Sequence, residues 1–162
     1  MSLFLSTYIN KVDRKGRVSV PAPFRLVLGG QPELIVFRSL QAQALDACST
    51  DYMNQLADAL DNPNLDDQLR ETIETTVFGG SQRLPIDPEG RVVLPEEFSQ
   101  FAQIGESAAF VGRRRTFQIW DPAAFERHQA TSRDEGRANN ISLSTILART
   151  NALTRGPAGQ GT

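Results

Sequence analysis

Two arginines occupy the same place in two copies of one short pattern. Arg17 and Arg91 each follow a glycine that lies three residues after an aspartate, in Asp13–Gly16 and Asp87–Gly90. A guanidinium is a planar fork of donors that suits a phosphate, a carboxylate or the edge of a guanine. With an aspartate four residues earlier, the fork can instead close on its own turn, a pairing worth about 0–1 kcal/mol when exposed. The two uses coexist if the carboxylate holds the guanidinium in the rotamer a partner needs. Lys11, Arg14, Lys15 and Arg25 surround the first copy, so its turn is strongly basic.

Little else in the chain suits chemistry. One histidine, His128, and one cysteine, Cys48, leave too few groups for nucleophilic catalysis or a zinc site. His128 reads as a surface residue late in a helix, and Cys48 as a small buried apolar one. Gly29-Gly30 and Gly79-Gly80 lack the spacing of a phosphate-binding loop. Arg113-Arg114-Arg115 reads most simply as a charged hairpin tip between two strands, with phosphate contact as the lesser reading. No enzyme, metal or cofactor is expected.

The elements that must position the arginines recur with them. Asp13 to Phe24 reads DRKGRVSVPAPF, and 74 residues later Asp87 to Phe98 reads DPEGRVVLPEEF. Asp, Gly, Arg, Val, Pro and Phe return in order, which is the mark of an internal repeat. Aspartate first and glycine fourth suit a type I turn, and Pro88 presets its second position. Val18 and Val20 then alternate with Arg17 and Ser19, the period of a half-buried strand, and Val92 and Leu94 alternate with Arg91 in the same phase. Pro21 and Pro95 end the strands and open helices whose Phe24 and Leu28, or Phe98 and Phe101, share a face. Each repeat therefore reads strand, tight turn, strand, short helix, with Phe4 in the first strand echoed by Phe78 at the same offset.

Between and beyond the turns the pattern gives a first strand over Leu3 to Val12 and short strands over Leu34 to Phe37 and Ala42 to Ala47. A helix capped by Ser49 runs from Asp51 to Leu60, and a second from Leu65 to Val77. Strands follow near Ser107 to Val111 and Thr116 to Trp120, and Asp121 caps a helix expected to reach Thr131. The tail is polar, with a short helix around Leu143 to Leu153. At 162 residues, two half-chains of about 75 would each bury a modest core and should pack together. No apolar run is long enough for a membrane span, and a lone cysteine fits a reducing compartment.

The net charge of −2 conceals a division. Residues 1–45 carry +4 and residues 46–76 carry −7. Local potential decides where a polyanion docks, so the basic first turn is the place for one.

The two motifs, with Phe78-Gly79-Gly80 and FQIWDPAAFE at Phe117–Glu126, resemble the MraZ family of bacterial transcriptional regulators. The resemblance spans roughly residues 3–128. It implies an α+β fold of two tandem, pseudo-symmetric AbrB-like swapped-hairpin modules forming a β-barrel with flanking helices, and a ring-shaped homo-oligomer. The expected divisions are a first module over 3–50, a helical connection over 51–76, a second module over 77–130 and a polar, flexible tail over 131–162. The resemblance also implies binding of double-stranded DNA at short tandem repeats upstream of the protein's own gene, in a cluster for cell division and the cell wall. Arg17 and Arg91 would read DNA, Arg14 and Lys15 would hold phosphate, and Asp13, Gly16, Asp87 and Gly90 would build the turns. Pro88 and Glu89 replace Arg14 and Lys15 in the second motif, which weakens its expected grip, and Ser6 stands where repeat two has Gly80. The expected place is cytoplasmic and nucleoid-associated. The alternative is a protein-partner adaptor or ring-forming scaffold that uses the acidic helical face.

Overall fold

A computed structural model of the chain describes residues 2–155. The first of two compact units ends at Phe125. It opens with β1 (Thr7–Lys11), then the Asp13–Gly16 turn, β2 (Arg17–Ser19) and α1 (Ala22–Leu28). β3 (Glu33–Arg38), β4 (Leu45–Cys48) and α2 (Thr50–Leu60) follow. α3 (Asp67–Ile73) passes into a single π-helical stretch over Glu74–Phe78, and the second repeat supplies β5 (Gln82–Pro85), β6 (Arg91–Val93), α4 (Glu96–Ala102), β7 (Ser107–Gly112) and β8 (Phe117–Trp120).

The repeat extends well past the twelve-residue motif. β7 lies 74 residues after β3, and the Asp121 cap lies 72 after the Ser49 cap, because the β3–β4 loop is two residues longer than the β7–β8 loop. Ser49 accepts the Tyr52 N–H at 3.1 Å, and Asp121 accepts the Ala124 N–H at 3.0 Å. An insertion in an exposed loop breaks the sequence match and leaves the paired strands in register.

Each repeat gives its first strand to the other. β1 pairs with β7 and β5 with β3, both antiparallel, in equivalent registers: Lys11 faces Ser107 and Pro85 faces Glu33. The six-stranded order is β1-β7-β8-β4-β3-β5, symmetric about the β8–β4 pair. β2 and β6 form a separate antiparallel ribbon centred on Val18 opposite Val92. Val20 donates to Gly90 O and Leu94 to Gly16 O, both at 2.9 Å, so the ribbon's hydrogen bonds continue onto the opposite turn.

Both sets of strands enclose one apolar core. Val18, Val20, Phe24, Val92, Leu94 and Phe98 are buried there with Phe4, Phe110 and Phe117. Phe24 meets Phe4 at 5.3 Å and Tyr8 at 5.5 Å, both edge-on, and Phe117 at 4.9 Å with the rings tilted, which joins the first helix to β1 and β8 of the large sheet. Trp120 and Phe125 pack together in a smaller cluster, and Cys48 is buried with Ile35 and Met53.

Several boundaries differ from expectation. Among the described residues the hydrogen bonds close no barrel: the large sheet is open at β1 and β5, and a single bridge, Val12 to Val18, links β1 to β2. The tight turn diverts the chain before a ladder can form. The first strand does not run unbroken from Leu3, because Ser6 takes a φ of 77° and leaves Phe4 in an isolated bridge. The expected Ala42–Ala47 strand begins at Leu45, after a loop in which Ser39 Oγ accepts the Gln41 and Ala42 N–H groups. The expected Leu65–Val77 helix starts at Asp67, where Asp66 caps it by accepting the Leu69 N–H, and its last turn widens to π geometry.

The second unit begins at Glu126. α5 (Pro122–Ala138) runs past Thr131, and α6 (Leu143–Arg155) is longer than the short helix expected. The stretch read as a flexible tail thus contains the end of one helix and the whole of another. Its final residues, 156–162, lie outside the described ones.

Gly16 and Gly90 have φ of 82° and 83°, a region costly for any residue with a Cβ. A Cβ on Gly16 would also lie 3.0 Å from Leu94 O. Gly16→Val should therefore lose roughly 1–2 kcal/mol or more of stability. A thermal melt indistinguishable from the parent's would show that the turn tolerates a branched side chain.

Candidate nucleic-acid interface

The two turns are built alike, atom by atom. Gly16 N donates to Asp13 O at 3.0 Å, and Gly90 N to Asp87 O at 2.9 Å, closing each turn. Asp13 Oδ1 accepts the N–H groups of Lys15 and Arg17, both at 2.9 Å, and Asp87 Oδ1 accepts those of Glu89 and Arg91 at the same distance. The second carboxylate oxygen takes the arginine itself: Arg17 Nε donates to Asp13 Oδ2 at 2.6 Å, and Arg91 Nε to Asp87 Oδ2 at 3.1 Å. The brace thus uses Nε and fixes the plane of the fork. Among the described residues Arg17 has no other ion pair, so its two Nη groups remain for a partner. The brace leaves the outer donors of the same residue uncommitted.

Strand period puts both arginines on one face. Val18 and Val92 point into the core, each 1% exposed, so Arg17, Ser19, Arg91 and Val93 share the outer face. Arg17 stands opposite Val93 and Arg91 opposite Ser19, which makes the arginines diagonal neighbours roughly 7–8 Å apart along the ribbon. Val93 is 52% exposed, so the face is open. Asn10 Nδ2 donates to Ser19 O at 2.7 Å and ties the ribbon to β1.

The pseudo-symmetry ends with charge. Arg14 and Lys15 are exposed on the first turn and make no ion pair among the described residues. The second turn has Glu89, whose Oε2 lies 3.3 Å from Arg91 Nη2 and occupies part of its fork. Arg25 follows the first turn in sequence, yet its side chain lies against the second, at Gly90. No periodicity could have placed it there, because the contact depends on how the repeats interlock.

The remaining candidates lie elsewhere. Arg113, Arg114 and Arg115 form the β7–β8 tip, and Arg113 Nη1 donates to Gln118 Oε1 at 3.1 Å. Gln118, itself buried and also bonded to the half-buried Asp46 and to Trp120, anchors a polar network that no sequence pattern announces. Burial, reinforced by the Asp46 charge, pushes the Cys48 thiol up to about 12, which leaves it a protonated core group. Among the described residues, no cluster of three ligating side chains could hold a metal, and no helix is long and apolar enough to cross a membrane.

Comparison with known proteins meets this geometry. The family model described as "MraZ protein, putative antitoxin-like" matches residues 77–144. Transcriptional regulator MraZ of Pelagibacter ubique is 41% identical over 143 residues, 87% of this chain and 92% of that protein. The protein of the same name from Rickettsia canadensis is 39% identical, over 79% of this chain and 87% of its own. That of Rickettsia felis is 34% identical, over 88% and 97%. The chain belongs to the MraZ family. The family model begins in the second repeat, whereas the whole-chain relatives also cover much of the first.

In this MraZ-family chain the turn aspartates carry a pH signature. The Arg17 N–H, then its guanidinium and the Lys15 N–H, hold the Asp13 carboxyl below its ordinary 3.8. The Arg91 N–H, then its guanidinium and the Glu89 N–H, do the same for Asp87. A lowered carboxyl adds stability that is complete above the unfolded value and is lost as pH falls through the folded one. Denaturant titrations should show the parent losing this increment below about pH 4, while Asp13→Asn/Asp87→Asn shows a flatter profile across that window. Parallel profiles would mean that the carboxylates do not support the turns.

Proposed function

We propose that this chain is a sequence-specific, DNA-binding transcriptional regulator, and that the outer face of the β2–β6 ribbon is its reading surface. The observation that carries this is the pair of Nε-braced arginines on one open face of a two-stranded ribbon. B-DNA's major groove admits such a ribbon, and a guanidinium offering two Nη groups matches guanine O6 and N7. Arg14 and Lys15 on the first turn hold phosphates and set register. The names of the relatives support a regulator of transcription. The finer reading is a pair of tandem AbrB-like modules that bind short tandem repeats upstream of the protein's own gene, in the cell-division and cell-wall cluster. It acts in the cytoplasm on the nucleoid, without catalysis.

The ring-shaped homo-oligomer belongs to the same proposal. β1 and β5 end the large sheet, and Leu5, Ile9, Leu26 and Leu40 stand more than half exposed, which is surface for further copies to cover. Repeated subunits would engage repeated DNA boxes with avidity. Light scattering at micromolar concentration should report an assembly larger than a dimer; a clean monomer ends the ring.

Arg17→Ala should keep the fold and lose about 1–3 kcal/mol of discrimination per contact between the upstream repeats and a scrambled duplex. Arg91→Ala should cost less, because Glu89 already occupies part of that fork. Lys15→Ala should weaken binding to both duplexes alike. If Arg17→Ala binds the repeats as tightly and selectively as the parent, the arginine is only a brace and this reading fails. Dependence of binding instead on Asp66, Asp67 and Glu71 would favour the adaptor that uses the acidic helices.

A further inference from the structure

The second turn lacks the cations that flank Arg17: Pro88 and Glu89 stand where the first has Arg14 and Lys15. Its isolated chemistry is that of a poor polyanion site. The fold supplies what the turn lacks. Arg25, on the last turn of α1, lays its guanidinium along Gly90, where a Cβ would lie 2.6 Å from Cζ, 2.9 Å from Nε and closer still to Nη1. Its Nε donates to Val20 O at 3.2 Å, and Val20 N in turn donates to Gly90 O at 2.9 Å. The guanidinium is thereby fixed beside Asp87-Pro88-Glu89-Gly90 with its stem on α1. Among the described residues it has no ion pair, and the residue is exposed. The equivalent residue of repeat two, 74 positions on, is Ser99, so no such cation crosses onto Gly16.

We infer that Arg25 is the phosphate-binding cation of the second turn. Each turn then has its own: Arg14 and Lys15 within the first, and Arg25 delivered across the repeats to the second. A purely structural role has support, since a basic residue in the last turn of a helix complements its dipole. That role needs neither an exposed, unpaired charge nor its placement over the one turn that lacks cations. The contact also gives Gly90 a task that Gly16 lacks, because any side chain there displaces the guanidinium.

This inference rests on the DNA-binding reading, and one set of titrations separates the two. Full-length parent, Arg17→Ala, Arg25→Gln and Arg25→Lys are titrated with a duplex from upstream of the gene and a scrambled duplex, across salt. Arg25→Gln should weaken binding to both duplexes by about tenfold and lower the slope of log affinity against log salt by about one per second turn engaged. Arg25→Lys should keep the slope. Because Arg25→Gln can disturb the Gly90 turn, the parent protein supplies a second measure. Phenylglyoxal modification, read at Arg25 by mass spectrometry, should be blocked by DNA. An unchanged slope in folded Arg25→Gln, or unprotected Arg25 in the parent's complex, overturns the assignment while Arg17→Ala still loses selectivity. If the parent shows no selectivity, or Arg17→Ala retains all of it, the DNA-binding reading itself falls.

Discussion

The structure depends on the exchange between the repeats. β2 forms its ladder with β6 and keeps only the Val12–Val18 bridge within its own repeat, and the bonds from Val20 to Gly90 and from Leu94 to Gly16 extend the ladder pairing to the turns. The same exchange recurs in the large sheet, where β1 needs β7 and β5 needs β3. Neither half can satisfy its backbone alone, and an unpaired buried amide costs about 1–3 kcal/mol. Folding of the two halves is therefore one event. The arginine face exists only once that event is complete, because it takes one strand from each repeat.

Rigidity at that face follows from where the hydrogen bonds go. Each turn aspartate accepts two backbone N–H groups and one guanidinium N–H, so a single carboxylate sets both the loop and the arginine rotamer. Below the ribbon, Val18 and Val92 are held by the phenylalanines of both helices. A long, flexible side chain ordinarily loses rotamer entropy of up to about 2 kcal/mol when a partner fixes it. Here part of that loss is met in folding, before any partner arrives. Placing the brace on Nε and the free donors on Nη lets order and availability coincide.

The turns were legible because their chemistry is local. Aspartate, glycine, arginine and alternating valines within eight residues specify a turn and a strand phase without reference to the rest of the chain. The Ser49 and Asp121 caps were legible for the same reason. What the sequence hid is long-range. That β1 would pair with β7 rather than close a barrel through β2 depends on how the tight turn aims the chain, and that Arg25 would lie on Gly90 depends on the exchange itself. Ser6 misled the strand boundary because a positive φ at serine carries no mark in its side chain. The Gln118 network was invisible because a buried glutamine is defined by its partners, Asp46, Arg113 and Trp120, which come from three places in the chain.

Joining the repeats in one chain has a physical consequence for the interface. Two identical modules related by a twofold axis would carry the same residue at every equivalent position, so a cation crossing one way would also cross the other. Within one chain that constraint is lifted. Arg25 and Ser99 occupy equivalent places, as do Lys15 and Glu89, and the scaffold of turns, ribbon and helices remains symmetric around them. The two ends of the ribbon therefore present one geometry and two charge patterns. Arg17, flanked by the cations of its own turn, keeps both Nη groups open; Arg91 shares its fork with Glu89. DNA has an approximate local dyad, so a symmetric reader would engage it equally in either direction. On the DNA-binding function proposed above, a reader with unequal ends would distinguish the two directions, and tandem repeats, which all point one way along the duplex, are the arrangement such a reader would fit.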